Sequence, residues 1–402
     1  MSHPSDWKRN LFVLWIGLFL NHVAYTLSVP FFPIFLETDL GIRHGLEVWA
    51  GISISLSFLI SGLCAPFWGS IADKYGKKPM LIRSGIGLGL AHLANYWVYD
   101  PISFIAIRIF QGLMAGFSPV SVAFIGANTP EKHVGYALGV ISTATAAGGI
   151  LGPFAGGLLI HWVGLRECFI ASGIITIASA AMVMFGVREI HRPAQGGRSR
   201  VWDDIRHAAG DARLLRIFAL IFIVSTSVTI LEPLLTLYVV QLGIGAGSAA
   251  LSSGIVFSAV GVATVLMGPF WGKLGGRIGY EKTLFVGLLG GALGNLLQLA
   301  FHNIVGFGLL RFGYGLFFAA VFPAMNALIV KYANTEFRGR AVSLSQTCSQ
   351  FGIVAGPLLG GLLGGWIGIP FVFVLTGVTL LLSAWNVRMT GRRTKELPLQ
   401  LH

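Results

Sequence analysis

The chain has 402 residues, 54% of them apolar and 11% charged, with a mean hydropathy of +0.76 and a formal net charge of +12. Soluble globular proteins carry about 25% charged residues, so most of this chain cannot face water; a water-soluble enzyme, a disulfide scaffold, a disordered tail and an outer-membrane barrel are excluded. The positive charge is broken into short clusters between apolar runs rather than gathered on one face, which excludes a nucleic-acid partner and points to a lipid bilayer.

A bilayer-spanning helix needs about 20 apolar residues. The apolar runs predict twelve of them, over 11–36, 48–72, 80–99, 102–127, 136–162, 167–187, 216–241, 249–273, 282–301, 304–330, 341–366 and 369–387. Lys8 and Arg9 ahead of the first run resemble a signal peptide, but the run is too long and no small-residue cleavage site follows it, so it is expected to stay as the first helix. Cys64, Cys168 and Cys348 all fall inside apolar runs and are odd in number, which predicts packed free thiols. If the N-terminus is cytoplasmic, only Arg43 and Arg166 fall outside and only Arg108 and Arg311 fall within spans. The other 24 of the 28 Lys and Arg residues face the cytoplasm. That bias predicts a multi-pass protein of the cell membrane with both termini cytoplasmic.

The longest polar stretch carries Pro193, Gly196, Gly197, Asp203 and Asp204. It predicts a six-helix bundle over 1–187, a cytoplasmic linker over 188–215 lying on anionic headgroups, and a second six-helix bundle over 216–402. The two halves repeat each other. Pro66-Phe67-Trp68-Gly69 recurs as Pro269-Phe270-Trp271-Gly272, and Arg108 with Gly112 recurs as Arg311 with Gly315, at an offset of 203. Gly148-x-x-x-Gly152-Pro153-x-x-Gly156-Gly157 recurs as Gly352-x-x-x-Gly356-Pro357-x-x-Gly360-Gly361 at an offset of 204. The expected fold is therefore an all-α membrane protein of twelve transmembrane helices in two pseudo-symmetric six-helix bundles, with a cleft between them that rocking exposes to alternate sides.

The loop after span two reads Gly69-Ser70-Ile71-Ala72-Asp73-Lys74-Tyr75-Gly76-Lys77-Lys78-Pro79, followed by Arg83. It resembles the G-x-x-x-D-[RK]-x-G-[RK]-[RK] signature of the major facilitator superfamily. By that resemblance Gly69, Asp73, Gly76, Lys77 and Arg83 form a cytoplasmic gate. Asp73 is expected to pair with Lys77 or Arg83, or to face the N-terminal end of span eleven near Arg340. In the second half the loop is degenerate, with Gly276 in the acidic place. The first G-x-x-x-G-P-x-x-G-G copy resembles the motif of the superfamily's antiporter branch. Gly148, Gly152, Gly156 and Gly157 allow close helix approach and Pro153 removes a backbone hydrogen bond, so a bent, sealing stripe is expected at the interface between the halves. Arg108-x-x-Gln111-Gly112-x-x-x-Gly116 resembles a third motif of the drug-exporting branch, and Pro30-Phe31-Phe32-Pro33 resembles the start of these exporters.

Intramembrane ionisable residues are functional candidates because a charge there is expensive. Glu232, in Glu232-Pro233 followed by Leu237-Tyr238, is the one carboxylate predicted inside a span. Burial disfavours its charged form, which makes it a site that loads and unloads a proton. Its span resembles the corresponding one of quinolone and dye exporters, where an acid is tied to proton coupling. The competing expectation is an ion pair from Glu232 to Arg108 or Arg311. His22 is a second proton-relay candidate, since an imidazole titrates near neutrality, whereas His92 on span three is expected as a packed core histidine. By resemblance, spans one, four, seven and ten line the cavity. The expected lining is Asn21, Tyr25, Gln111, Met114, Glu232, Arg311, Asn326 and Gln346, with Arg108 and His22 beside Glu232 in proton coupling.

The resemblance runs from Trp7 to about Arg393. It implies a proton-coupled, alternating-access exporter of small amphipathic or aromatic compounds, multidrug efflux in kind. It also implies a monomer with the proton as its coupling ion and no other cofactor. A sugar or other metabolite exporter is the alternative, although few hydrogen-bonding groups converge; a lipid or siderophore exporter would use the two arginines. No H-E-x-x-H, G-x-S-x-G or phosphate loop appears in the sequence, so neither an enzyme, a metal site nor an ATP-driven pump is expected.

Overall fold

A computed structural model of the chain describes residues 6–189, 206, 210–334 and 337–396. Most of the linker expected at 188–215 lies outside the described residues. Every regular element among the described residues is helical. Eleven helical spans are long and apolar enough to cross a membrane. The twelfth corresponds to Lys77–Ala94 with the turn Asn95–Trp97; Lys77, Lys78 and Arg83 in its first two turns make it less apolar than the rest. Large apolar side chains point outward along many spans, among them Phe185 at 81% and Trp366 at 78% exposed. A surface this apolar is one that lipid covers.

The first unit comprises Met1–Gly196 together with Ile244–Ser258. Its helices are α1 (Asp6–Ser28), α2 (Phe32–Thr38), α3 (Leu46–Tyr75), α4 (Lys77–Ala94), α5 (Pro101–Met114), α6 (Phe117–Asn128), α7 (Glu131–Val163) and α8 (Leu165–Gly186). One core gathers Leu14, Leu18, Leu81, Phe117, Phe124 and Val183, and an aromatic cluster gathers Phe32, Phe35, Phe104 and Phe169. The second unit comprises Gly197–Gly243 and Ala259–His402. Its helices are α9 (Ala212–Thr229), α10 (Glu232–Gln241), most of α11 (Ala246–Ile278), α12 (Tyr280–Leu297), α13 (Ile304–Phe318), α14 (Val321–Tyr332), α15 (Arg338–Ile367) and α16 (Ile369–Glu396). Its core runs from Leu214, Ile221 and Val224 through Leu284 and Leu288 to Met325 and Leu380.

Helix ends follow local chemistry. Asp100 accepts a hydrogen bond from the Ser103 backbone N–H at 2.9 Å and from its hydroxyl, ahead of Pro101 in the first turn of α5. These bonds, the hydroxyl's first, hold the Asp100 carboxyl below the usual carboxylate range. Asn303, its repeat mate, accepts from Gly306 N–H at 2.7 Å to start α13. Four helix pairs, α3–α4, α7–α8, α11–α12 and α15–α16, are joined by one glycine each: Gly76, Gly164, Gly279 and Gly368, with φ of +100°, +107°, +93° and +89°. A side chain is strained in that region, and glycine turns the chain there without steric cost. Because a joint takes one residue, the helices run past the apolar edges read from sequence; α11 ends at Ile278 rather than 273.

Spans one, four, seven and ten are each interrupted. The breaks fall at Val29–Phe31, Ala115–Gly116, Ile230–Leu231 and Ala319–Ala320. A proline lies in or soon after every break: Pro30 and Pro33, Pro119, Pro233 and Pro323. Proline is tolerated in a first helical turn but denies a bond to the turn before it, so the helix restarts rather than continues.

Candidate functional site

Arg108, on α5, is 1% exposed and does not reach for the membrane surface. Its guanidinium carbon lies 4.5 Å from the ring centre of Phe32 and 4.9 Å from that of Phe104. Ring faces attract a cation most strongly where water is excluded. Its Nε and Nη2 have no hydrogen-bond partner among the described residues. Ser57 on α3 donates to the Arg108 carbonyl at 3.0 Å, and Gly112 lets α3 approach at Ile60 and the Ser57 carbonyl. The Tyr25 ring meets Phe58 edge-on at 6.1 Å and lies 6.2 Å from His22. The first unit therefore sets His22 beside Tyr25, and Arg108 against Phe32 and Phe104.

The other expected lining residues of this unit lie apart. Gln111 turns to His92, with 3.3 Å between Nε2 atoms, and both are buried. Met114 packs on Gly87 of α4. Asn21 is half-buried.

The signature loop has a geometry that sequence did not reveal. Asp73 is exposed and lies 3.7 Å from Lys77 one turn on. Arg83 does not reach Asp73. It donates to the carbonyls of Leu113 at 3.3 Å and Ala115 at 2.9 Å, at the break in span four, and lies 3.6 Å from the Trp68 ring centre. Gly69 has open space around it. The acid on the joint is Glu189, whose carboxylate accepts from Lys77 N–H at 2.7 Å and Lys78 N–H at 2.8 Å. A Cβ on Gly76 would collide with that carboxylate. A helix N-terminus favours such an anion. The sequence signal for Glu189 is faint: it is the one acid between the sixth span and Pro193.

The antiporter motif divides its residues between two neighbours. Gly148, Gly152 and Gly156, one turn apart, lie on α1 of the same unit, against His22, Thr26 and Leu27. Thr26 donates to the Gly148 carbonyl at 3.0 Å. Gly157 faces another way, onto Ala250 and Leu251, and Gly254 lies on the Pro153 carbonyl. Ser258 donates to the Ile150 carbonyl at 2.5 Å. Residues four apart share a helix face and the ninth does not, so one motif serves two contacts. Pro153 leaves α7 continuous from Glu131 to Val163.

In the second unit Glu232 opens α10 just after the break in span seven, with Pro233 beside it. It is half-buried and forms no hydrogen bond or ion pair among the described residues, so it is not paired with Arg311 of its own unit. Arg311 is 8% exposed, lies 5.3 Å from the Tyr314 ring centre and leaves its Nε without a partner. Tyr238 is boxed by Phe307 and Phe373 at 5.1 Å each. Asn326 and Gln346 are exposed. The second motif copy repeats the first: Gly352, Gly356 and Gly360 lie on α9 and the break after it, at Ser225, Thr229 and Ile230.

Residues 14–262 and 246–400 match the family model for the Major Facilitator Superfamily. The multidrug resistance protein MdtG of Escherichia coli (strain K12 / DH10B) is 35% identical over 389 residues, 95% of each chain. Among solved structures, a bacterial homologue of the human lysosomal transporter Spinster has a TM-score of 0.80 at 15% identity, over 97% of this chain and 98% of that one. The nucleoside transporter NupG has 0.77 at 12%, over 94% and 98%. A D-xylose-proton symporter has 0.76 at 16%, over 95% and 97%. At such identities the structures speak for the fold alone.

Proposed function

Because the chain belongs to the major facilitator superfamily, we propose that it is a proton-coupled exporter of small amphipathic and aromatic compounds, working by alternating access in the cell membrane with both termini in the cytoplasm. The observation that carries this reading is Glu232. It is a carboxylate without a partner among the described residues, at the break of an otherwise apolar span. Protonated, it is tolerated in an apolar setting; ionised, it holds a cation. One group thus exchanges a proton for a cationic compound. His22 and Arg108 set the field in which a compound is held, and Arg311 does the same in the second bundle. Asp73 with Lys77 latches the cytoplasmic side. The protein works as a monomer, with the proton as coupling ion and without chemical conversion of its cargo. The 35% identity to a protein named for multidrug resistance supports the same reading.

A second reading has one specific observation in its favour. Arg108 leaves two buried guanidinium nitrogens and Arg311 one without partners among the described residues, which suits an amphipathic anion, such as a lipid or siderophore, better than a sugar.

The test is purified protein in liposomes with an imposed pH gradient, offered a cationic dye, an uncharged drug, an amphipathic anion and a sugar. The dye moves against its gradient, and Glu232→Gln lowers gradient-driven accumulation at least tenfold while still binding dye. Undiminished accumulation by Glu232→Gln overturns the assignment of the proton site, and movement of the sugar alone overturns the cargo.

A further inference from the structure

A groove in the second unit lies between α9, α12, α14 and α16, and none of the residues assigned to transport lines it. It is lined by Arg213, Arg216, Ile217, Leu220, Glu281, Leu284, Leu328, Tyr332, Asn386 and Val387, and takes in about 520 Å³ including its open mouth. Its floor is apolar and its rim polar. Ile217, Leu220, Leu284 and Leu328 are buried beneath it, while Arg213 and Arg216 are exposed above.

Its depth follows from where the spans end. Arg213 and Arg216 stand in the first two turns of the span Ala212–Gln241, Glu281 in the first turn of Tyr280–Ala300, Tyr332 at the last residue of Ile304–Tyr332, and Asn386 near the end of Ile369–Met389. Four spans thus bring their polar ends to one level, which is headgroup level in a bilayer. The charge balance at the rim is also explicit. The Glu281 carboxylate is engaged by Lys331 at 3.1 Å and by the Tyr332 hydroxyl at 2.6 Å. Asp211 accepts from the Arg213 backbone N–H at 2.8 Å, capping α9. The two guanidinium groups, three residues apart and so on one helix face, form no ion pair among the described residues. Arg213 is steadied 5.9 Å from the Tyr332 ring centre.

We propose that this groove seats an anionic phospholipid, its phosphate on Arg213 and Arg216 and the head of an acyl chain against Ile217, Leu220, Leu284 and Leu328. Guanidinium groups grip phosphate oxygens bidentately, and basic pockets between spans at headgroup depth hold acidic lipids. A free anion would not use the apolar floor, and a zwitterionic lipid would bring its own cation toward the arginines. The proposal does not rest on the export reading.

The test uses full-length protein in mild detergent, titrated with phosphatidylglycerol, with phosphatidylcholine of the same chains and with inorganic phosphate, and read by the thermal midpoint and by native mass spectrometry. Phosphatidylglycerol binds at least tenfold tighter than phosphatidylcholine. The exposed pair Arg213→Ala/Arg216→Ala weakens it about thirtyfold, the change two basic residues near a membrane surface carry. Lys273→Ala/Arg277→Ala, removing equal charge elsewhere, leaves it within twofold. Equal affinity in the Arg213/Arg216 variant, an equal loss in the Lys273/Arg277 variant, or inorganic phosphate matching the lipid would each overturn the proposal.

Discussion

Arg108 carries its charge into the first bundle with two phenyl rings, rather than a carboxylate, against its guanidinium. Ring faces return part of the cost of leaving water, but two unpartnered nitrogens remain, and buried charges are often replaced by apolar groups of similar volume at no loss of stability. Arg108→Met is therefore expected to melt no lower than the wild type in detergent while transporting the cationic dye at least tenfold more slowly. A drop of several degrees would show that the arginine holds the fold. The candidate itself was legible, because a lone arginine in an apolar run stands out. Its surroundings were not: Phe32 reaches it from beyond the break in span one and Phe104 from one turn back on its own helix. No periodicity places Phe32 near α5.

Among elements, the repeated Pro-Phe-Trp-Gly motif acquires a physical role. Trp68 donates its indole N–H to the Leu113 carbonyl at 2.9 Å and Trp271 to the Leu316 carbonyl at 2.7 Å. Both carbonyls belong to the last turn before a break, where a helix leaves acceptors without intrahelical donors. The Leu113 carbonyl has a second donor in Arg83, and that of Leu316 has none beside Trp271 among the described residues. Trp271→Phe should then lower stability by about 1 kcal/mol and Trp68→Phe by less, as read from denaturation midpoints. Equal losses would argue that ring packing matters more than the bond. The glycine stripes make a companion expectation. Gly152→Val drives a side chain into Thr26 and should cost about 1–3 kcal/mol, whereas Gly139→Ala on the same helix meets open space and should cost nothing. Sequence made the repetition and the small-residue stripe plain; which neighbour each glycine touches depends on helix phase, so Gly148, Gly152 and Gly156 lie on α1 while Gly157 meets α11, which belongs to the second half of the sequence.

Across the whole molecule the duplication is close but not complete. Breaks, one-glycine joints and motif seats recur at nearly constant offset. The acids on the first joint do not: Gly276 stands in the place of Asp73, Gly279 has open space where Gly76 has a carboxylate, and an arginine, Arg392, stands at the offset from Glu189. The first joint is clamped by two charge-assisted bonds to the end of the sixth span, and no such carboxylate sits on Gly279 among the described residues. Glu189→Gln, which weakens those bonds while keeping the shape, should lower the thermal midpoint and speed backbone hydrogen exchange at Lys77 and Lys78 at least tenfold. Unchanged exchange at those two amides would remove Glu189 from any part in holding the gate loop. The count of spans and the two-fold repeat were readable because both are written in hydropathy and spacing. The asymmetry was only half readable, since Glu189 lies more than a hundred residues from the backbone it binds.

The one-glycine joints carry a mechanical consequence. Two helices joined through a single residue have no slack to slide along each other. Compliance has to reside elsewhere, and the interrupted spans, which already lack a continuous ladder of backbone bonds, are where the chain bends at least effort. Tight joints and interrupted spans alternate along the polypeptide, two of one kind and two of the other in each half.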